Sequence, residues 1–229
     1  MEVDMTLQRI RFSVSKTAGD REHYVNSDDI RTVLARLPLE VWSKLRAVHF
    51  NDRSWGARTL GYVTRGHREI AICALPPRVS LTRMLECGTG RNGRRNKSPR
   101  EFGAVRGRQW PRVAVRRFLL YDVFLHELGH LQAVNQNSTD PRKRYAKETK
   151  AQEFADYWRS ELWSKPFEHP SHEHHAPSDK EIEDFVAALV VRQECAPGRA
   201  GGLQSRPTPF ESVRSCFAGV ARLRKAAVL

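Results

Sequence analysis

Apolar residues recur in the first third of the chain with spacings typical of both strands and helices. Residues 9–15 alternate between apolar and polar side chains, which predicts a half-buried strand. An acidic helix start at 27–29 precedes apolar residues at helical spacing, and Pro38 follows them: Ile30, Val33, Leu34 and Leu37. Further short apolar segments predict a small sheet whose last two strands form a hairpin: 47–50, 59–64 and 69–73.

The second half of the chain has the pattern of helices. Pro111 suits a first helical turn, and the apolar spacing after it is helical for about 20 residues. A polar connection at 135–144 leads to a second helix, expected from about residue 145 to 163. Ser178 with Glu181 forms a capping-box pattern for a third helix.

Composition limits the class of protein. A chain of 229 residues with 40% hydrophobic residues can form one ordinary core, which we assign to a domain over 1–195. A Gly/Pro-rich C-terminal extension would follow over 196–229. The four cysteines form no CxxC pair, which disfavours a disulfide framework and a zinc ribbon. Because no signal peptide or membrane-spanning apolar run is visible, we expect a cytoplasmic protein without a membrane partner.

Positive charge is concentrated in one part of the chain. The net charge is +13, and the segment 91–117 holds ten cations against the single acid Glu101. Its beginning overlaps a stretch rich in Gly, Asn and Pro, so we predict a basic flexible loop over 87–108. Such a loop is either a solvated insertion or a weak, salt-sensitive contact for nucleic acid or an acidic partner.

The chemistry of the chain is concentrated in the run His126-Glu127-Leu128-Gly129-His130, within the helix that follows Pro111. Two histidines four residues apart project from one face of a helix, so their ring nitrogens can converge on one metal ion. Glu127 lies beside them, where it can act as general base on a water molecule, as a zinc hydrolase requires. Gly129 leaves space for a neighbouring element to approach closely.

A catalytic zinc ion takes three protein ligands and leaves one position open. Position 136 is Gln, so the third histidine of metzincins is missing. The remaining candidates are Glu148, Glu153 and a histidine of the 169–175 segment. At 100° per residue, Glu148 lies about 60–70° from the centre of the apolar stripe of its helix, and Glu153 about 155°. We therefore expect Glu148 to be the third ligand, with the others as alternatives.

These residues complete a resemblance to a known family. The run HELGH, followed by Glu148-x-x-Ala151-Gln152-x-Phe154-Ala155, resembles the gluzincin pattern, in particular that of the ImmA/IrrE-like metallopeptidases or minigluzincins. The resemblance covers roughly residues 118–160. It implies a zincin-like α+β fold, in which a small mixed sheet accompanies an active-site helix and a second helix that carries a Glu metal ligand.

The resemblance also implies roles for single residues. One Zn²⁺ per chain would be held by His126, His130 and Glu148, with Glu127 as the catalytic base. Gln152 departs from the Asp or Asn with which the family supports a histidine ligand, although Gln can also accept a hydrogen bond. The helix-turn-helix segment of the family's regulatory members is not evident.

We therefore predict a zinc-dependent metallopeptidase that hydrolyses peptide bonds in a protein or peptide. The strand at 69–73 is expected to pair with the extended substrate. One alternative is a DNA-associated protease or a nucleic-acid-binding protein that uses the basic segment 91–117. Another is an inactive module that holds zinc structurally, but Glu127 argues against it because a structural site needs no base.

Overall fold

The computed structural model describes residues 7–52, 59–64, 68–77, 98–106, 108–132 and 141–194. The chain divides into two compact units, Met1–Val190 and Val191–Leu229. Of the second unit, only a helix end at 191–194 is described. The predicted extension over 196–229 and the predicted loop residues 87–97 therefore lie outside the described residues.

Four short strands form a mixed sheet in the order β1-β2-β4-β3. Their bounds are Arg11–Val14 for β1, Ala47–Asn51 for β2, Gly61–Val63 for β3 and Glu69–Cys73 for β4. Both β1 and β4 run parallel to β2, whereas β3 pairs antiparallel with β4. The predicted hairpin of the last two strands is confirmed, and so is the small mixed sheet of an α+β fold.

Six α-helices accompany the sheet in the described parts of the chain. They are α1 Ser27–Ala35, α2 Leu39–Trp42, α3 Arg112–Phe118, α4 Leu125–Gln132, α5 Pro141–Ser164 and α6 Asp179–Glu194. A π-helical segment, Leu119–Phe124, joins α3 directly to α4, and short 3-10 helices cover Pro99–Phe102 and His172–His174. Within the described ranges, no helix combines the length and the apolar character needed to cross a membrane.

Helix α5 begins at Pro141, earlier than the expected start near residue 145. Proline is tolerated in the first turn of a helix, because the N–H group that it lacks would have no partner there. The start of α1 also differs slightly from the expectation, since Asn26 is its N-cap. The Asn26 side chain accepts from the N–H groups of Asp28 and Asp29 at 2.8 and 3.0 Å.

One hydrophobic core connects the sheet to the helices. Apolar side chains from β2 and β4 meet those of α1, the π-helical segment and α4, and all of them are buried: Val48, Phe50, Ile70, Ile72, Ile30, Leu34, Leu120, Phe124, Leu125 and Leu128. Burial of this apolar surface is the main source of stability. The helix that carries the two motif histidines is therefore held firmly by its apolar face.

The end of the predicted flexible loop 87–108 is packed, which corrects that part of the prediction. Ser98 caps the 3-10 helix that follows it, and Phe102 at the end of that helix is fully buried. The Phe102 ring contacts the rings of Trp110, Phe118 and Trp163. The preceding residues have the composition of a loop, so the burial of this single aromatic side chain was not predicted. Its burial in the core stabilises this segment.

Arg117 is only 1% exposed and links segments that are far apart in the chain. Its guanidinium donates to both carboxylate oxygens of Glu181, at 2.6 and 2.9 Å. Its other bonds go to the carbonyl oxygens of Phe102, His172 and His175. The backbone N–H of Glu181 also donates to the Ser178 hydroxyl at 3.1 Å, so the predicted cap of α6 is confirmed. Paired charges of this kind tolerate burial because every donor has an acceptor.

We expect the substitution Arg117→Ala to lower the free energy of unfolding by about 3–5 kcal/mol, because it leaves carbonyl groups and a carboxylate without their donor. Urea denaturation followed by circular dichroism measures this loss. Arg112→Ala is the control. It removes an ion pair with Glu22, and the Arg112 side chain is 56% exposed. The control should cost no more than about 1 kcal/mol, and an equal loss in both variants would contradict the prediction.

Candidate metal centre

The two motif histidines lie on α4, which begins directly after the π-helical segment. His126 and His130 are one helical turn apart, and their ring centroids are separated by 4.7 Å. Their Nε2 atoms approach to 3.1 Å. The structure thus brings the two imidazoles together at a single point, as the four-residue spacing predicts.

Close packing of α4 against α5 positions the third side chain. A Cβ atom on Gly129 would lie 3.0 Å from the Cα atom of Ala151 and 3.1 Å from its carbonyl oxygen. Any side chain there would push the two helices apart, so the expected role of Gly129 is confirmed. Because Ala151 follows Glu148 by less than one helical turn, this contact also determines how far Glu148 reaches toward α4.

The Glu148 carboxylate completes a triangle with the two imidazoles, called the donor triangle below. Its oxygens lie 3.3 Å from His126 Nε2 and 3.6 Å from His130 Nε2. In a tetrahedral zinc site with bonds of about 2.0–2.1 Å, the ligand atoms are about 3.3–3.4 Å apart. The residues therefore fit a zinc ion in their chemistry and spacing. The side chain of Glu148 is 43% exposed, which leaves the triangle open on one side.

The alternative third ligands lie elsewhere. Glu153 is on the exposed side of α5. In the 169–175 segment, His174 is buried and its Nδ1 atom lies 3.0 Å from the Tyr121 hydroxyl. The described residues include a second group close enough to share an ion: Asp29, Glu173 and His174. However, the Arg116 guanidinium already donates to both of these carboxylates and supplies the cation itself.

The charges of the centre depend on one another. Hydrogen bonds from His126 and His130 hold the pKa of Glu148 well below its usual range. Burial acts to lower the pKa of His130, but the Glu148 hydrogen bond and the charge of Glu127 outweigh it and raise this pKa. Negative charge therefore predominates around the imidazoles, which favours a cation between them.

Glu127 lies beside the donor triangle and is only 8% exposed. Burial raises its pKa, whereas the two histidines act in the opposite direction. Its carboxylate accepts a hydrogen bond from the backbone N–H of Val63, in β3. A Cβ atom on Gly61 would lie 3.2 Å from the Glu127 Cγ atom, so glycine is needed for β3 to approach the helix this closely.

Sequence reasoning missed this contribution of β3 and assigned substrate pairing to the wrong strand. The expected strand, 69–73, is β4, which has β2 on one side and β3 on the other and therefore has no free edge. The residues on either side of β3 bond to β4: the Leu60 carbonyl accepts from the Cys73 N–H at 2.8 Å, and the Thr64 N–H donates to the Glu69 carbonyl at 2.9 Å. Gly61 and Val63 consequently direct their backbone groups to the other edge of β3, which is free of any described strand and is called the free edge below. An isolated glycine inside a predicted strand was the available signal for close backbone approach.

In the family, an Asp or Asn at the position of Gln152 supports a histidine ligand. Gln152 itself bonds to other residues in the described structure. Its side-chain amide donates to the carboxylates of Asp122 and Asp156 at 3.3 and 3.1 Å. The Nδ1 atom of His126 is buried and has no hydrogen-bond partner among the described residues. The donor triangle thus fits a metal ion, whereas the support behind His126 differs from the family pattern.

Comparisons of the chain with protein-family models, with curated proteins and with solved structures gave no match. The functional interpretation therefore depends on the donor triangle and on Glu127 beside it.

We expect the purified protein to bind about one Zn²⁺ per chain. His126→Ala, His130→Ala and Glu148→Ala should each abolish stoichiometric binding, because each removes one of three ligands. Elemental analysis after dialysis against a weak chelator measures the zinc content. Glu153→Ala is the matched control from the same helix and should keep the metal. Loss of zinc in the control with retention in Glu148→Ala would show that the wrong glutamate has been assigned.

Gly129→Ala should weaken zinc binding although it touches no ligand. The added methyl group must displace α5, and with it Glu148, so we expect an affinity loss of about 10–100-fold, as for other residues that support ligands. Competition with a chromogenic chelator measures the affinity. Ser160→Ala, on the exposed side of α5, controls for the helix propensity of alanine. Equal affinity in the two variants would mean that close packing at Gly129 does not position Glu148.

Proposed function

We propose that the chain is a zinc-dependent metallopeptidase with a zincin-like fold. The observation that carries the proposal is the donor triangle with the buried carboxylate of Glu127 beside it. Structural zinc sites are closed by four protein ligands, whereas catalytic sites have three and an open position. A triangle of three ligands, open to solvent on the Glu148 side and with a base next to it, corresponds to the second kind.

The positions of the helices and the sheet support the zincin-like part of the proposal. One helix, α4, provides His126, Glu127 and His130, and the next helix, α5, provides Glu148. The small mixed sheet contacts α4, the first helix of this pair, through its edge strand β3. This is the arrangement that the resemblance to the minigluzincins implies.

In the proposed reaction, His126, His130 and Glu148 hold the zinc ion. When bound, the ion supplies Lewis acidity, which makes a water molecule more acidic and polarises the scissile carbonyl. Glu127 accepts a proton from the attacking water on its carboxylate and transfers it to the leaving amine. The hydrogen bond from the Val63 N–H orients this carboxylate, and its burial raises the pKa of Glu127 toward the range in which a carboxylate can accept and return a proton.

The free edge of β3 is the proposed docking line for an extended protein or peptide substrate. The backbone groups of Gly61 and the Val63 carbonyl face this edge, where an added strand would pair with them, while the Val63 N–H donates to Glu127. Such a strand would pass next to Glu127, which contacts both residues. We place the activity in the cytoplasm, as the sequence leads us to expect.

The alternative, a nucleic-acid-associated role of the segment 91–117, stays a prediction. Its residues 91–97 lie outside the described part of the chain. Several of its described cations are engaged within the protein, because each is paired with a carboxylate: Arg100, Arg112, Arg116 and Arg117. These four arginines therefore contribute little free charge to such a role.

We expect Glu127→Gln to keep zinc and thermal stability nearly unchanged while peptidase activity falls by about 10²–10⁴-fold, the usual contribution of a general base. Glutamine preserves the shape of the side chain but cannot take the proton at neutral pH. The measurement is cleavage of an unfolded-protein mixture, followed by mass spectrometry of the new termini. Glu153→Gln is the control and should cleave as the wild type does. Undiminished cleavage by zinc-loaded Glu127→Gln would exclude Glu127 as the base.

A further inference from the structure

Three exposed arginines lie side by side where the parallel strands of the sheet begin. The N–H of Arg11 donates to the Arg46 carbonyl at 3.0 Å, and the N–H of Arg46 donates to the Arg68 carbonyl at 2.7 Å. Neighbouring strands are about 4.8 Å apart, so these bonds place the backbones of the three arginines next to one another at this end of the sheet. Arg11 is in register with Ala47 and Glu69, whereas Arg46 and Arg68 each precede that row by one residue, so their side chains leave the sheet on the face opposite to Arg11. Arg9 and Lys44 each precede one of them by two residues. We call these five residues the basic edge.

The cations of the basic edge differ in their pairing from seven described arginines outside it. Arg11 pairs with Glu69 at 3.3 Å, but the other four form no ion pair within the described ranges. In contrast, many described arginines outside the edge have a carboxylate partner: Arg21, Arg31, Arg100, Arg112, Arg116, Arg117 and Arg159. All five residues of the basic edge are exposed. In the described parts of the chain, four of these five charges therefore have no carboxylate that compensates them.

Among the described residues, the acid next to Arg68 does not offset the basic edge. Glu69 is the acid at the start of β4, and its carboxylate is already shared by Arg11 and by His49, which lies 3.1 Å away. Unpaired like charges within a Debye length of about 8–10 Å repel one another, and a bound polyanion removes this repulsion. A surface with this charge pattern is suited to an anionic polymer.

We propose that the basic edge binds the phosphate backbone of nucleic acid. Duplex DNA carries one negative charge per about 1.7 Å of its axis, so even a few cations release condensed counterions and gain affinity. An extended acidic peptide carries at most one charge per about 3.3 Å, which makes this gain smaller. Four of the five cations are arginines, whose planar guanidinium matches phosphate oxygens in pairs. The set contains no aromatic residue to stack on bases, so the binding is independent of base sequence.

The basic edge is close to the proposed peptidase site along the sheet. The backbone carbonyl of Glu69, next to Arg68, accepts a hydrogen bond from the N–H of Thr64, which follows the last residue of β3. The preceding residue, Val63, donates to Glu127. Nucleic acid at the basic edge would therefore bring its bound proteins near the free edge of β3. Binding itself does not require the proposed peptidase activity.

Three variants of equal charge change test the proposal, each lowering the net charge of +13 by three. The edge variant replaces Lys44, Arg46 and Arg68 by alanine. The control variant replaces three lysines that are exposed and form no ion pair with described residues: Lys16, Lys150 and Lys180. The loop variant replaces Arg91, Arg94 and Arg95. Fluorescence anisotropy with a labelled 20-base-pair duplex and a labelled 20-nucleotide single strand, at about 50–200 mM KCl, gives the affinity and its salt dependence.

We expect the edge variant to reduce the slope of log K against log salt concentration by about 2–3 for the duplex, and its affinity by about tenfold or more. The control variant should keep the slope of the wild type. The proposal is overturned if the edge and control variants behave alike, or if only the loop variant loses binding. Displacement of the protein by poly-glutamate as effectively as by DNA, at equal charge concentration, would also overturn it, in favour of an acidic protein partner.

A further variant separates this inference from the proposed function. The double substitution of His126 and His130 by alanine should abolish zinc binding and leave duplex binding unchanged, since neither residue belongs to the basic edge. The edge variant should in turn keep its zinc content and its thermal stability, because its three side chains are exposed. Loss of DNA binding in the double-histidine variant, with its thermal stability retained, would contradict a binding site at the basic edge.

Discussion

The geometry of the donor triangle depends most directly on the packing of α4 against α5 at Gly129. Two helix backbones approach there because one residue has no side chain, and the atoms that the missing Cβ would meet belong largely to the backbone of Ala151. Rotamer changes cannot relieve such a contact. The two imidazoles of α4 and the carboxylate of α5 thus depend on a single separation between helices. The chemistry of the donor triangle is therefore a consequence of backbone geometry as much as of the residues that form it.

Arginines contribute to the structure in two distinct ways. Arg116 and Arg117, next to each other on α3, turn inward and pair with carboxylates from three other segments, Asp29, Glu173 and Glu181. They replace apolar packing where α3 meets polar chain segments, and their hydrogen bonds hold the 171–181 region in place. Where the parallel strands begin, Arg46 and Arg68 have no such partner among the residues that the structure describes, and only Arg11 pairs with a carboxylate, that of Glu69. A high arginine content therefore combines internal cross-links with free surface charge, and only the structure separates the two.

Local signals made much of the structure predictable. The hairpin, the helix after Pro111, the cap at Ser178 and the inward phase of Glu148 all follow from spacings within a few residues. The parallel pairing of β1, β2 and β4 did not follow, because pairing between distant strands has no local sequence signal. The contact between Val63 and Glu127 was missed for the same reason. The buried Phe102 was missed because one aromatic residue within polar, Gly-rich sequence has no periodicity.

The π-helical segment Leu119–Phe124 has a consequence for how such a chain can evolve. A π-helical turn corresponds to one residue inserted into an α-helix, and here the insertion lies between the anchoring arginines of α3 and the histidines of α4. A relative with one residue fewer would still form an unbroken helix, with its first half anchored in the same way. Its histidines, however, would be rotated by about 100° around the helix axis relative to α5. Two chains with the same motif letters could thus differ in metal binding through the length of this segment alone.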